Sequence, residues 1–182
     1  EVGLAELDAF GTAAAQPIVD LVRGGGMRRL ELELAGREKT FLLPFDRAKY
    51  LPQKELLRLA TGGTDDPWDR RWAAAVYESN RLGLTPTGYP MQSTRLDLNA
   101  ELRIIGLSGE ITGEMGALVK GLFPAESTLC LGYCSNVDGY IPTSAMLPDG
   151  GYEAAWSGKL WGWPAPFAPE LDAIMKREIQ AL

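Results

Sequence analysis

Two apolar runs of strand length, ELRIIGL (101–107) and STLCLGY (127–133), flank one stretch of helical pattern, EITGEMGALVKG (110–121). No other feature restricts the fold as much. Strands joined by a crossover of about a dozen residues with a helix in it do not make a hairpin. They make a βαβ unit, with parallel, adjacent strands. Their near-continuous hydrophobicity marks them as deeply buried. A chain built around such a unit is mixed α/β, and ligands of such sheets gather outside the carboxyl ends of the parallel strands.

The remaining sequence adds to that unit, which spans about 101–133. MQSTRLDL (91–98) reads as a preceding strand, turned at Asn99–Ala100. MRRLELELAG (27–36) alternates, with Leu30, Leu32 and Leu34 on one face, and REKTFLLPF (37–45) returns after Ala35–Gly36. That pattern predicts a β-hairpin over about 27–45. Residues 4–23 space Leu4, Leu7, Phe10, Ala14, Ile18 and Leu21 helically, with a division at Pro17 and a stop at Gly24–Gly26. Pro52–Ala60 reads as a short helix. Asp65 or Asp66 caps a helix from Pro67 to Gly83, with Trp68, Trp72, Ala75, Val76 and Leu82 facing inward. A last amphipathic helix runs from about Pro169 to Ala181. No repeat or low-complexity linker interrupts the chain, so 1–182 reads as a single domain.

Composition narrows the chemistry. The 182 residues carry 18 Lys+Arg against 24 Asp+Glu, a net charge of −6. With a pI near 4.8, this argues against a nucleic-acid partner, which needs a basic field. The chain has no His. A Ser-His-Asp triad, a Cys-His pair, a His-ligated zinc or a haem on a proximal His therefore cannot be completed within it. Cys130 and Cys134 are too few for a disulfide framework and would lie about 13 Å apart in extended chain. Cys130 reads as a small buried hydrophobe and Cys134 as a loop thiol. No run reaches the roughly 18 apolar residues of a transmembrane segment, and no signal-peptide pattern opens the sequence. The chain begins with Glu1 instead of Met, so it reads as a processed product or as part of something longer.

The candidate chemistry sits at the rim of the βαβ unit. Glu110 follows the first strand, after Ser108 and Gly109, and Asn136, Asp138 and Tyr140 follow the second. One carboxylate and one phenol are thus expected at one edge. Gly109 permits a sharp turn, and a carboxylate at a helix N-terminus gains about 0.3–1 kcal/mol from the dipole. Taken alone, the pattern fits equally a dipole partner at Glu110 and a packed aromatic at Tyr140. Trp156, Trp161, Trp163 and Phe167 either pack a Pro-rich loop onto the body or form a surface for lipid or sugar.

Taken together, MQSTRLDLNAELRIIGLSGE (91–110), STLCLGYCSNVDGYIPT (127–143) and GGYEAAWS (150–157) carry a family resemblance. From about Trp68 to Trp156, about half of the chain, the sequence resembles the later part of the catalytic domain of neutral/alkaline (non-lysosomal) ceramidases. The first segment is similar to that family's paired strands ending in an apolar–Pro–Gly–Glu motif. The others resemble its Gly-Tyr-x-Asn…Tyr-x-x-Thr and Tyr-Glu-Ala/Gly-Ala-Ser segments.

The resemblance implies a zinc held by two His, a Glu and a Tyr, with the Glu at Glu110 and the Tyr at Tyr140. It implies a second Tyr, at Tyr152, that stabilises the charged tetrahedral intermediate. The implied reaction is hydrolysis of the N-acyl amide of ceramide-like lipids by metal-activated water. The family's two His ligands lie upstream of its Pro-Gly-Glu motif. The implied partners are therefore a ceramide-like lipid, the upstream half of the catalytic domain and, in reach of the substrate, a membrane surface. This chain alone is then expected to be inactive, and the implied setting is secreted, cell-surface or periplasmic. Ser108 stands in place of the family's usual Pro, Ser135 in place of its usual Asn, and its C-terminal immunoglobulin-like module has no counterpart here. Two readings follow: the C-terminal part of a larger ceramidase-like catalytic domain, or a non-catalytic structural or interaction domain on the same scaffold. Tyr152 itself reads either as an oxyanion donor or as a cover for the sheet beside Trp156.

Overall fold

Residues 3–182 are described by a computed structural model, in which the chain divides between Leu32 and Glu33 into two units. The first unit is built on one helix, α1 (Leu4–Arg23). Gly3 has no side chain to cap it, so the Glu6 carboxylate folds back and accepts from the Gly3 N–H at 2.8 Å. Contrary to expectation, α1 is not divided at Pro17. Ala13, whose carbonyl Pro17 leaves without a donor, is exposed, so water can satisfy that carbonyl and the helix continues.

The second unit holds a four-stranded sheet. Its first strand, β1 (Ala35–Pro44), pairs antiparallel with β2 (Gly88–Asp97) along its whole length, Ala35 opposite Asp97 and Pro44 opposite Gly88. The hairpin expected over 27–45 is therefore absent. Residues 27–34 form no strand, because their alternation has no core to face. Leu32 and Leu34 are 61% and 64% exposed, whereas Leu43 of β1 is fully buried.

β2 turns at Asn99, whose Oδ1 accepts from the backbone N–H of Glu101 and Leu102 at 2.9 and 2.8 Å. It then pairs antiparallel with β3 (Arg103–Leu107). β3 in turn lies parallel to its other neighbour, with Ile105 opposite Cys130. The predicted βαβ unit is present, but its second strand is not deeply buried as expected: it lies at the sheet edge, where Leu129 and Leu131 are 50% and 46% exposed.

Its crossover differs in one respect. Glu110–Ile111 form a short strand, β4, and the helix that follows, α4 (Gly113–Lys120), starts later than the pattern implied. Thr112 is its cap, accepting from the Met115 N–H at 3.3 Å. The chain then enters β5 (Thr128–Leu131), which completes the main sheet as the parallel neighbour of β3. β6 (Tyr140–Ile141) pairs parallel with β4 in a small second sheet.

One face of the main sheet carries Leu43, Tyr89, Met91, Ile105 and Leu107 into the core. Met115 and Val119 of α4 cover it, together with Leu171, Met175 and Ile179 of the C-terminal helix (Leu171–Gln180), α5 here. Fully burying each such side chain contributes about 1.5–3 kcal/mol. A satellite cluster joins Leu56 of a short helix, α2 (Gln53–Ala60), to Trp72, Ala73 and Val76 of a longer one, α3 (Pro67–Arg81). Only that narrow stripe of the longer helix is covered. Trp68 and Leu82, expected to face inward, are 49% and 56% exposed, and Ala75 is exposed with them.

Candidate active site

The site begins where β3 ends. Ser108 is fully buried, and both of its polar groups bind β2. Its N–H donates to the Gln92 carbonyl at 3.0 Å, and its Oγ accepts from the Gln92 N–H at 2.9 Å. The next residue must then turn sharply. Gly109 does so at φ +79°, and a Cβ there would lie 2.8 Å from Ile141 Cγ1. Only glycine combines that backbone with that closeness.

Residues 132–141 form a strap laced onto this turn. Gly109 N–H donates to the Asn136 carbonyl at 2.6 Å, Glu110 N–H to the Gly139 carbonyl at 2.9 Å, and Tyr133 N–H to the Gly109 carbonyl at 3.0 Å. The ladder places Glu110 directly opposite Tyr140. Beneath the strap, Gly139 adopts φ +73° and lies so close to Trp163 that a Cβ would meet the ring at 2.8 Å. Trp163 packs on Phe45, Tyr89 and Phe167, with ring centroids 5.2, 5.6 and 5.1 Å away. Trp163 and Phe167 therefore pack the loop onto the body, while Trp161 is 50% exposed and Trp156 stacks on the exposed Tyr152.

The three residues singled out by the resemblance meet at this rim. Glu110 stands opposite Tyr140, and the Tyr140 ring meets Tyr152 edge-on at 5.8 Å. Tyr152 opens a π-helical turn (Tyr152–Trp156) after Gly150 and Gly151, both at positive φ. It stacks on Trp156 at 5.4 Å, and Trp156 meets Trp68 edge-on at 6.3 Å. Tyr152 is 48% exposed, so it does not serve to seal the core. Ala154 and Ala155 of the same turn line a cavity of about 260 Å³ with Trp72, Trp163 and Phe167.

One member of the cluster was not foreseen. The Tyr133 hydroxyl donates to Glu110 Oε2 at 2.9 Å. The run STLCLGY had placed Tyr133 within a strand, but β5 stops at Leu131 and Tyr133 turns at φ +59°. Its position just past the carboxyl end of a parallel strand was the available signal. Glu110 differs from expectation as well. It lies in β4, ahead of the α4 cap at Thr112, so phenols and not a helix dipole are its partners.

Hydrogen bonding to the Glu110 carboxylate, reinforced by its charge, holds the Tyr133 and Tyr140 hydroxyls above the usual phenol range. Both are therefore neutral donors at neutral pH. Asn136 and Asp138 hydrogen-bond to each other within the strap. Cys134 donates to the carbonyls of Leu131 and Gly132 at 3.8 and 3.5 Å. Among the described residues, no three His, Cys, Asp or Glu side chains gather closely enough to hold a metal ion. No described helix is long and apolar enough to cross a membrane. No protein-family model matches the chain, and no curated protein or solved structure matches it.

Proposed function

We propose that Glu110, Tyr140 and Tyr152 are this chain's share of a zinc-dependent amidohydrolase site of the neutral ceramidase type. Its substrate class is ceramide-like lipids, cleaved at the N-acyl amide. The observation that carries this reading is convergence. Three residues chosen by motif, from three separate segments, stand within ladder or ring contact of one another. Tyr152 is half exposed, and Glu110 and Tyr140 are only partly covered, so core packing does not account for their meeting.

The donor chemistry fits half of a zinc shell. Glu110 and Tyr140 would supply two oxygen donors to a zinc ion, whose shell needs further ligands. With no His in the chain, the other two donors belong to an upstream half of the catalytic domain, which this reading requires as a partner. Zinc, when bound, supplies Lewis acidity and lowers the pKa of water toward about 7. Glu110 presents a carboxylate whose direction is fixed by phenolic donors. The Tyr152 hydroxyl supplies a proton donor for the carbonyl oxygen that gains charge as the amide carbon becomes tetrahedral. The row Tyr152–Trp156–Trp68 offers aromatic faces on which hydrocarbon can lie.

A rival reading, a non-catalytic interaction module using the same aromatic rim, is favoured by the exposed faces of Trp68, Tyr152 and Trp161. One experiment decides between them. The natural protein that contains this chain is purified and incubated with N-acylsphingosine, and fatty-acid release and bound zinc are measured. The expected result is hydrolysis that a chelator abolishes and zinc restores, and that Glu110→Gln eliminates. Absent hydrolysis, or hydrolysis indifferent to Glu110→Gln, overturns the amidohydrolase reading.

A further inference from the structure

We propose that the cavity lined by Ala154 and Ala155 binds a free aromatic amino acid, with the ring inside and the charged ammonium and carboxylate at the mouth. Glu110, Tyr140 and Tyr152 do not line this cavity. The site is therefore separate from the rim and does not rest on the amidohydrolase reading.

The walls are apolar and flat. Trp72 and Phe167 are buried, Trp163 is half-buried, and Pro164 and Pro166 complete the lining beside them. The Trp72 indole N–H donates to the Trp163 carbonyl at 2.7 Å, and Trp163 is itself wedged against Phe45, Tyr89 and Phe167. The ring walls are thus in place before a guest arrives. Packed interiors leave few voids larger than a water molecule, and a dry apolar cavity of about 150 Å³ already holds a benzene ring. This one measures about 260 Å³, which leaves room for a ring and a short carbon stem. Ring walls favour a flat guest that can stack on them or meet them edge-on.

Charge decides what the stem carries. Four charged side chains reach the lining: Lys49, Asp69, Glu153 and Lys159. Two of them answer each other. Lys159 Nζ donates to Asp69 Oδ1 at 2.6 Å and lies 4.9 Å from the centre of the Trp72 ring, so that wall is neutral. Lys49 and Glu153 are the only exposed residues of the lining, which puts both at the mouth. Neither side chain has a hydrogen-bond or ion-pair partner among the described residues. Lys49 closes a short turn (Arg47–Lys49) that Asp46 caps, accepting from the Ala48 N–H at 3.0 Å. A mouth with one unpartnered cation and one unpartnered anion complements a guest that carries both charges. The α-carboxylate goes to Lys49 and the α-ammonium to Glu153. An aromatic acid would bring its charge up against Glu153, and an aromatic amine would do so against Lys49.

The test titrates the natural protein that contains this chain by calorimetry with L-phenylalanine, 3-phenylpropionate, 2-phenylethylamine and L-alanine. L-Phenylalanine is expected to bind one-to-one, at least about tenfold more tightly than either singly charged analogue, since each lost contact is a charge-assisted hydrogen bond. L-Alanine, which lacks the ring, is expected not to bind. Lys49→Gln and Glu153→Gln change exposed side chains and keep the fold. Each should weaken L-phenylalanine by about tenfold. Lys49→Gln should not weaken 2-phenylethylamine, and Glu153→Gln should not weaken 3-phenylpropionate. No saturable heat with L-phenylalanine at millimolar concentration overturns the proposal. So does an unchanged L-phenylalanine affinity in either variant, or an analogue or L-alanine that binds as tightly as L-phenylalanine.

Discussion

Glu110 and Tyr140 face each other as register partners in a parallel ladder only two residues long, β4 against β6. So short a ladder has little stability of its own. It persists because the turn before it and the strap after it are locked by backbone hydrogen bonds from Gly109 and Glu110. The carboxylate and the phenol are therefore placed by main chain, and side-chain changes at either position leave the backbone frame standing.

Gly109 is the weak point of that frame. Gly109→Ala combines a left-handed φ of +79° with a Cβ 2.8 Å from Ile141. Its expected cost is about 1–3 kcal/mol or more, which in a chain of this length lowers Tm by about 2–4 °C per kcal/mol. Gly116→Ala is the control. It lies inside α4, where a Cβ would make an ordinary 3.9 Å contact with Ile111, and it should stabilise by about 0.5–1 kcal/mol. Thermal melts of the two variants should move in opposite directions; a common direction refutes the argument.

Ser108 should prove structural. Ser108→Ala leaves the Gln92 N–H without the Oγ that accepts it at 2.9 Å, in a part-buried setting. A loss of about 1–3 kcal/mol is expected. Ser108→Pro, the residue usual in the resembling family, also removes the donor to the Gln92 carbonyl and should cost more. Urea midpoints would settle the order, and a more stable Pro variant would count against it.

Tyr152 carries the sharpest functional forecast. Tyr152→Phe preserves the stack on Trp156 at 5.4 Å and removes only the hydroxyl. If that hydroxyl serves the developing oxyanion, kcat for amide hydrolysis falls by about 10²-fold or more in the natural protein, with zinc content and Tm unchanged. An intact kcat with a lowered Tm would make Tyr152 a packing residue.

Cys130 predicts an alkaline signature. Burial pushes its thiol up to about 11 from an ordinary 9.0, with the nearby Cys134 adding to the rise. The folded chain therefore keeps a proton that the unfolded chain gives up. The stability this contributes is complete below about pH 9. It is lost as pH climbs toward 11, by at most about 1.4 kcal/mol per pH unit. Urea unfolding of wild type and Cys130→Ala from pH 8 to 11 isolates the effect: the gap between them should narrow across that window. A constant gap would rule out the thiol as its source.

The first strand of the parallel unit was legible in the sequence because burial wrote it there: Ile105 and Leu107 are fully buried. The second, β5, is as apolar but lies at the sheet edge with Leu129 and Leu131 half exposed, so its pattern marked the strand and misstated its burial. The partner of β1 was not legible. Leu30, Leu32 and Leu34 alternate as well as any strand, but alternation states a preference for two faces and says nothing of which element supplies the second. The answer lay in residues 88–97, far along the chain. Pro17 misled for a related reason, since the penalty for an orphaned carbonyl depends on whether water reaches it. At the site, Glu110, Tyr140 and Tyr152 were recoverable as motif positions. Tyr133 stood in the Gly-Tyr motif too, but its contact with Glu110 was not legible, because a strand pattern does not reveal where a strand ends and that contact depends on a backbone angle that no residue count discloses.

Gly139 links the rim to the interior. The strap crosses Trp163 with no room for a single added carbon, and that indole is wedged among Phe45, Tyr89 and Phe167. Loops at protein rims commonly breathe on their own, exchanging amide hydrogens long before the core does. The Glu110 amide is bonded to the Gly139 carbonyl, so its exchange is expected to follow the slow, cooperative class of the central strands instead, and exchange at the rate of a free loop would refute that coupling of rim to core.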